Sequence, residues 1–230
     1  MQQAGFSVVQ SEYFEDPDCG KWRETDVVGY TEFRSDTCRV ILALIAECKG
    51  DKSKPWVLFT SRDNYSRSLG ISRRAASQKG ESILNVLASK EELSHMPLFV
   101  VPERPGYGLG VAHSNDNLHA AFAALNSVCK ASLGLIRRIE SVGTENLIPF
   151  AWPILIVGAP LLEAFLDEGG DLRVQQVAKG LLIWRNPVIR RHTFVQVYNA
   201  EQFLEEAADL RRCSVQFAEL AAKENDRSPR

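Results

Sequence analysis

The sequence contains no C-x-x-C pair and no cysteine with a histidine at zinc-finger spacing, which excludes the common structural zinc modules. Its five cysteines, Cys19, Cys38, Cys48, Cys129 and Cys213, are odd in number and scattered, and they read as free thiols in a reducing cytosol. No apolar stretch is long enough to span a bilayer and no signal peptide is evident, so a soluble, cytoplasmic protein without membrane contact is expected. Neither sign of charge dominates. With 27 Lys+Arg against 29 Asp+Glu, the overall balance does not announce a nucleic-acid binder, and any basic surface must be local. The glycines of Gly106-Tyr107-Gly108-Leu109-Gly110 lack the G-x-G-x-x-G spacing and no Lys-Ser/Thr follows, so they are expected in a flexible loop. No helix-turn-helix, internal repeat or low-complexity tract is evident.

What the chain does have is apolar residues, at 45%, enough for a substantial core. The most apolar stretch is Val40-Ile41-Leu42-Ala43-Leu44-Ile45-Ala46, a run that reads as a strand buried on both faces. It ends in Glu47-Cys48-Lys49. Charges at the end of such a strand are costly to desolvate unless paired or holding a metal. Residues two apart on a strand share a face, so Glu47 and Lys49 form a candidate site, with Cys48 opposite as a packing residue. Upstream, residues 23–33 read as a second strand, and Arg34-Ser35-Asp36-Thr37-Cys38 as the hairpin turn between them. A hairpin symmetric about the Asp36–Thr37 bond places Asp26 directly across from Glu47. Cβ atoms of such pairs lie about 4.5–5.5 Å apart. Two carboxylates that close repel each other unless a divalent cation bridges them, and oxygen ligands suit Mg²⁺ or Mn²⁺. Lys49 is then placed to steady an attacking water or a phosphate oxygen.

Asp26 at the start of one strand, with Glu47-x-Lys49 at the end of the next, resembles the PD-(D/E)xK nuclease superfamily. The entry strand Gly5-Phe6-Ser7-Val8-Val9 and the acidic turn after it fit the family's order, and the match covers roughly the first third of the chain. The resemblance implies an α/β fold, a mixed central sheet flanked by helices. It further implies that Asp26 and Glu47 bind the metal, that Lys49 assists catalysis, and that the substrate is DNA. The literal Pro17-Asp18 pair lies in a turn-rich segment without a strand pattern, so Asp26 is taken as the family's aspartate. Many members carry a further acid on a helix before the first strand. Here Gly5-Phe6 is reached almost at once, and a third ligand is expected either to be absent or to come from Glu12, Glu24 or water. The alternative implied by that departure is a catalytically inactive nuclease-like module that binds DNA or a partner protein. Besides DNA, the expected partners in either case are a second copy of the chain or another protein.

The remaining segments alternate between strand and helix patterns, which argues for helices packed on the faces of a sheet. Pro55 to Thr60 and Pro97 to Pro102 read as strands. Ile83, Leu84, Val86 and Leu87 read as one helix face, and Leu118, Ala121, Phe122, Leu125, Val128 and Cys129 as another, capped by Ser114 or Asn115. His113 and His119 flank that helix start as capping or surface residues. Pro153 to Gly158 is a strand, and residues 176–184 and 193–198 are expected to pair antiparallel. Asn199 with Gln202 resembles a capping box for a last helix with the stripe Phe203, Ala207, Leu210, Ser214, Phe217 and Ala221, followed by a frayed tail after Lys223. One elaborated domain is expected, with a nuclease-like core at roughly residues 5–102 and a C-terminal elaboration over 103–230.

Between Lys49 and Lys79 eight cations (Lys49, Lys52, Lys54, Arg62, Arg67, Arg73, Arg74, Lys79) meet only two acids, Asp51 and Asp63. This window is the expected grip on a phosphate backbone, with Arg185, Arg190 and Arg191 as a second contact.

Overall fold

The computed structural model describes residues 1–62, 74–90, 93, 95–113, 117–143, 146–185 and 192–227. In chain order the elements are β1 (Ser7–Glu15), β2 (Trp22–Arg34), β3 (Arg39–Lys49), β4 (Trp56–Thr60), β5 (Ala75–Ala76), α1 (Gln78–Leu87), β6 (Gly106–Val111), α2 (Asn117–Ser141), β7 (Leu147–Val157), β8 (Leu161–Leu166), β9 (Leu172–Val177), β10 (Lys179–Arg185), β11 (His192–Asn199) and α3 (Ala200–Arg227). The strands form one large mixed sheet in the order β1-β2-β3-β7-β11-β10-β6-β4-β8-β9, with β5 pairing β7 to one side. The fold is α/β, with the three helices packed on the sheet.

Two meeting rules build its centre. β2 and β3 are an antiparallel hairpin whose register runs from Arg34↔Arg39 to Val27↔Ala46, the symmetric pairing about Asp36–Thr37. β3 and β7 are parallel along eleven pairs, from Arg39↔Leu147 to Lys49↔Val157, and the long connection between them, through β4, β5, α1 and β6, ends in α2. Both strands are apolar on both faces because both faces are covered, as a central parallel pair requires.

The even-numbered side of β3 packs with α1 and α3. Leu42, Leu44, Phe150, Trp152 and Ile154 meet Ile83, Leu84, Leu87, Leu210 and Phe217 there. The odd-numbered side packs against α2, where Ala43, Ile45, Leu155 and Val157 meet Leu125, Val128 and Leu135, together with Trp56, Leu58, Leu109 and Leu161 from the far strands. A flat sheet could not do this. Five strand spacings separate β7 from β8, about 24 Å in a flat sheet, yet the four residues from Val157 to Leu161 reach at most about 14 Å. The sheet therefore curls around α2 and brings the ends of β3 and β7 to the starts of β4 and β8. The closure is visible in the Gly158 N–H donating to the Lys49 carbonyl at 2.8 Å and the Trp56 N–H to the Pro160 carbonyl at 2.9 Å.

α2 lies so close to the sheet edge that Gly134 has no room for a side chain. A Cβ there would stand 2.6 Å from the Glu15 carbonyl oxygen and 2.8 Å from Phe14 Cδ2. Helix propensity favours alanine over glycine by about 1 kcal/mol. Backbone contact outweighs it, so Gly134→Ala is expected to lower the thermal midpoint, read by circular dichroism. A raised midpoint would contradict this packing.

Several sequence expectations need correction. Pro97 to Pro102 forms no strand. Leu98 and Phe99 are instead buried in the core, and the segment's carbonyls are met by side chains, Leu98 by Arg74 at 2.7 Å and Pro97 by Gln196 at 3.2 Å. The expected glycine loop is strand β6, whose glycines make room for neighbours: a Cβ on Gly106 would meet Leu58 Cδ1 at 2.5 Å. Val86 and Phe122 are exposed despite their helical spacing. Residues 176–177 belong to β9, and it is β10 that pairs with β11. The β8–β9 hairpin was not anticipated. α3 continues through Lys223 to Arg227, where fraying was expected. Its N-cap holds, with Asn199 Oδ1 accepting the Gln202 N–H at 2.7 Å, but Gln202 turns its own amide to Glu206, so the box is half made. The capping positions Ser114 and Asn115 lie outside the described residues. The strands of residues 103–230 do not form an appendage: β7, β11, β10 and β6 stand between β3 and β4.

Candidate functional site

The C-terminal ends of the parallel pair β3 and β7, beside α2, hold the charged triplet. In open α/β sheets this end is where ligands gather. Glu47 lies on the α2 side and is 7% exposed. Its Oε1 accepts from Lys49 Nζ at 2.6 Å and its Oε2 from Ser127 Oγ of α2 at 2.9 Å. The same-face expectation for Glu47 and Lys49 is thus realised as an ion pair. Lys49 is about one-third exposed.

Asp26 is the residue after the last β2–β3 pair, and continuing the register by one step sets it abreast of Glu47. Its Oδ2 accepts the Cys48 N–H at 2.6 Å. The strand on its other side breaks at the same level. Gln10↔Val27 and Glu12↔Thr25 are paired, while Ser11, which falls between them opposite Asp26, has φ 53. A non-glycine residue in that region costs energy and clusters at functional positions. Partial burial, then the Asp26 and Glu47 carboxylates, push the Cys48 thiol up to about 11, so it stays protonated at neutral pH and is no nucleophile.

The expected third ligands do not join this pair. Glu12 is tied to Arg138 at 2.5 Å, and Glu24 is exposed. Residues 2–4 form a single 3₁₀ turn with no acid. Among the described residues no group of three or more His, Cys, Asp or Glu side chains could hold a metal ion. Ser127 was not anticipated, and nothing in the sequence marks it, since a serine beside a buried helical stripe is ordinary.

The proposed phosphate contacts scatter. Lys52 and Lys54 follow β3 directly in the chain, Lys52 exposed and Lys54 partly buried. Arg62 sits beyond β4, paired with Glu103 at 3.0 Å and Glu168 at 2.8 Å. Lys79 is exposed on α1, in the layer on the other side of the sheet from Glu47. Arg74 requires a correction: it is buried, donating to the Phe194 and Leu98 carbonyls, with its guanidinium 5.6 Å from the Phe194 ring and 6.0 Å from that of Trp152. It braces the core and cannot meet a phosphate. Arg67, Arg73, Arg190 and Arg191 lie outside the described residues, as does the side chain of Arg185.

The Pro17-Asp18 segment is the turn it was read to be, and its anchor is structural. Asp16 is buried and receives the Asp18 N–H at 3.0 Å, the Arg23 guanidinium, and Lys130 of α2 at 3.2 Å. Burial alone would raise its pKa, but these donors bring it down to about 2. A carboxyl whose folded value lies below its unfolded one stabilises fully above the unfolded value, near 4, and the contribution fades as pH falls towards 2. Asp16→Asn is therefore expected to be less stable than wild type at pH 7, with the gap narrowing between pH 4 and pH 2 in denaturant titrations. A pH-independent gap would contradict this.

No protein-family model matches the chain, and no curated protein and no solved structure matches it.

Proposed function

We propose that this chain is a metal-dependent phosphodiesterase acting on DNA, with Asp26 and Glu47 as metal ligands and Lys49 as the catalytic cation on a restriction-endonuclease-like core. The observation that carries this reading is the hairpin register: it sets two carboxylates abreast at the end of a buried parallel strand, with a lysine on the Glu47 face. The donor set is all oxygen and anionic, and Asp26 Oδ1 accepts no hydrogen bond among the described residues, so a hard cation completed by water suits it. Mg²⁺ or Mn²⁺ there would polarise a phosphate oxygen and lower the pKa of a bound water. Ser127 fixes the Glu47 rotamer through Oε2. Lys49 holds Glu47 neutralised and presents an ammonium where charge develops on a phosphate in transit. Lys52 and Lys54 extend that positive edge for the backbone.

Nicking of supercoiled DNA should require Mg²⁺ or Mn²⁺ and stop with chelator. Cleavage undiminished in chelator would remove the metal from the account.

A second reading, a nuclease-like module that binds DNA or a partner without cutting, is favoured by the Lys49–Glu47 pair, which satisfies Glu47 without a cation. In that case a divalent ion binds no better to the wild type than to Asp26→Asn.

A further inference from the structure

The two edges of the sheet differ. β1 is kinked at Ser11, carries Glu12 and Glu15, and is flanked by α2. Kinks and charges are the usual protection of an edge strand. β9, Leu172-Arg173-Val174-Gln175-Gln176-Val177, has no proline, no bulge and one charge, Arg173, which is tied to Asp167 at 2.7 Å. Its side chains are exposed on both faces.

The hairpin fixes which backbone groups of β9 are unpaired among the described residues. The Asp167 N–H donates to the Asp171 carbonyl at 3.0 Å, and the Gly170 N–H closes the turn onto the Asp167 carbonyl, with Gly170 at φ 84. From Asp171 onward the groups facing β8 alternate, so Arg173, Gln175 and Val177 bond inward. The N–H and C=O groups of Leu172, Val174 and Gln176 point out of the sheet edge. Their side chains share one face with Leu166, Ala164 and Phe59, through the pairs Leu166↔Leu172, Ala164↔Val174 and Phe59↔Ala164. On that face Leu166 is 68%, Leu172 66% and Val174 56% exposed.

We infer that β9 pairs antiparallel with β9 of a second copy of this chain, on a two-fold axis through Val174. Outward groups meet only in certain registers. Val174 opposite Val174 of the copy sets Leu172 across from Gln176, and Arg173 across from Gln175, with no like charges opposed. A slip of two residues in one direction opposes Arg173 to Arg173, which is destabilising. A slip the other way sets Leu172 against Ala178, whose carbonyl is already taken by the Asn199 N–H at 2.8 Å. Self-complementarity is what a two-fold interface demands, and of these three registers only the one centred on Val174 has it. The pairing also brings the exposed Leu172 and Val174 of both copies onto one continuous face.

The test is sedimentation of the full chain, free of nucleic acid, over a concentration series. The wild type is expected to approach twice its 25.7 kDa mass. Val174→Pro removes an N–H that makes no bond to β8, so it should leave the melting curve in place and give a monomer. Val174→Lys and Val174→Glu each oppose like charges at the axis and should be monomeric alone, and should re-form a dimer when mixed. A wild-type chain that stays at 25.7 kDa throughout overturns the self-pairing and leaves this edge to a strand of another protein. A dimer that survives Val174→Pro, or two charged variants that fail to pair on mixing, overturns the proposed register and axis.

Discussion

Glu47→Gln is expected to lower Mg²⁺-supported DNA cleavage by about 10²-fold or more while leaving the protein folded. Glutamine keeps the shape of the side chain and an oxygen for the Ser127 hydroxyl. It loses the negative charge, and with it both the pull on a cation and the ion pair to Lys49. Asp26→Asn should do the same through the other carboxylate. Lys49→Ala should depress the rate without removing metal binding, because its proposed role falls on the phosphate and the water. The assay is supercoiled plasmid nicking under Mg²⁺ or Mn²⁺, with thermal melting of each variant as the fold control. Cleavage at wild-type rate in any of the three variants would show that the chemistry lies elsewhere.

Phe217→Ala is expected to cost about 3–5 kcal/mol of stability. Phe217 is fully buried at the middle of α3, and its ring meets three others: Phe150 at 4.9 Å, Trp152 at 4.8 Å and Phe99 at 5.4 Å between centroids. Phe99 in turn stands edge-on to Trp152 at 5.0 Å. The alanine would leave a cavity that these rings cannot close together, since Phe150 and Trp152 are fixed on β7 and Phe99 on the segment before β6. Leu204→Ala on the same helix, at a position 71% exposed, should change stability by less than about 0.5 kcal/mol. Urea unfolding of both variants reads the contrast. Equal, small effects would mean that α3 is not the lid of this core.

The parts of the fold governed by short-range rules could be read from the chain. The β2–β3 hairpin is one such part, because four polar residues between two apolar strands leave little choice of turn, and a buried face fixes the register. The stripe of α3 is another: every residue expected to be buried on it is buried. What could not be read is where strands distant in sequence meet. Nothing local says that β7 slots between β3 and β4, or that three residues after Val157 force the sheet to curl. β6 is hidden because its glycines look like a loop, although Gly106 is small to admit Leu58. Arg74 was counted with the basic surface because burial of a charge is a tertiary fact, settled by carbonyls from Leu98 and Phe194. At the candidate site, the spacing conveyed Asp26, Glu47 and Lys49, but not the hydroxyl of Ser127, which arrives from a helix eighty residues on.

In the proposed site Asp26 and Glu47 together hold a divalent cation. Titrating Mn²⁺ into the wild type and into Asp26→Asn and Glu47→Gln, followed by electron paramagnetic resonance of the free ion, tests it without relying on turnover. One site on the wild type, weakened at least about tenfold by either substitution, is the predicted result. Equal Mn²⁺ binding by all three proteins would contradict it.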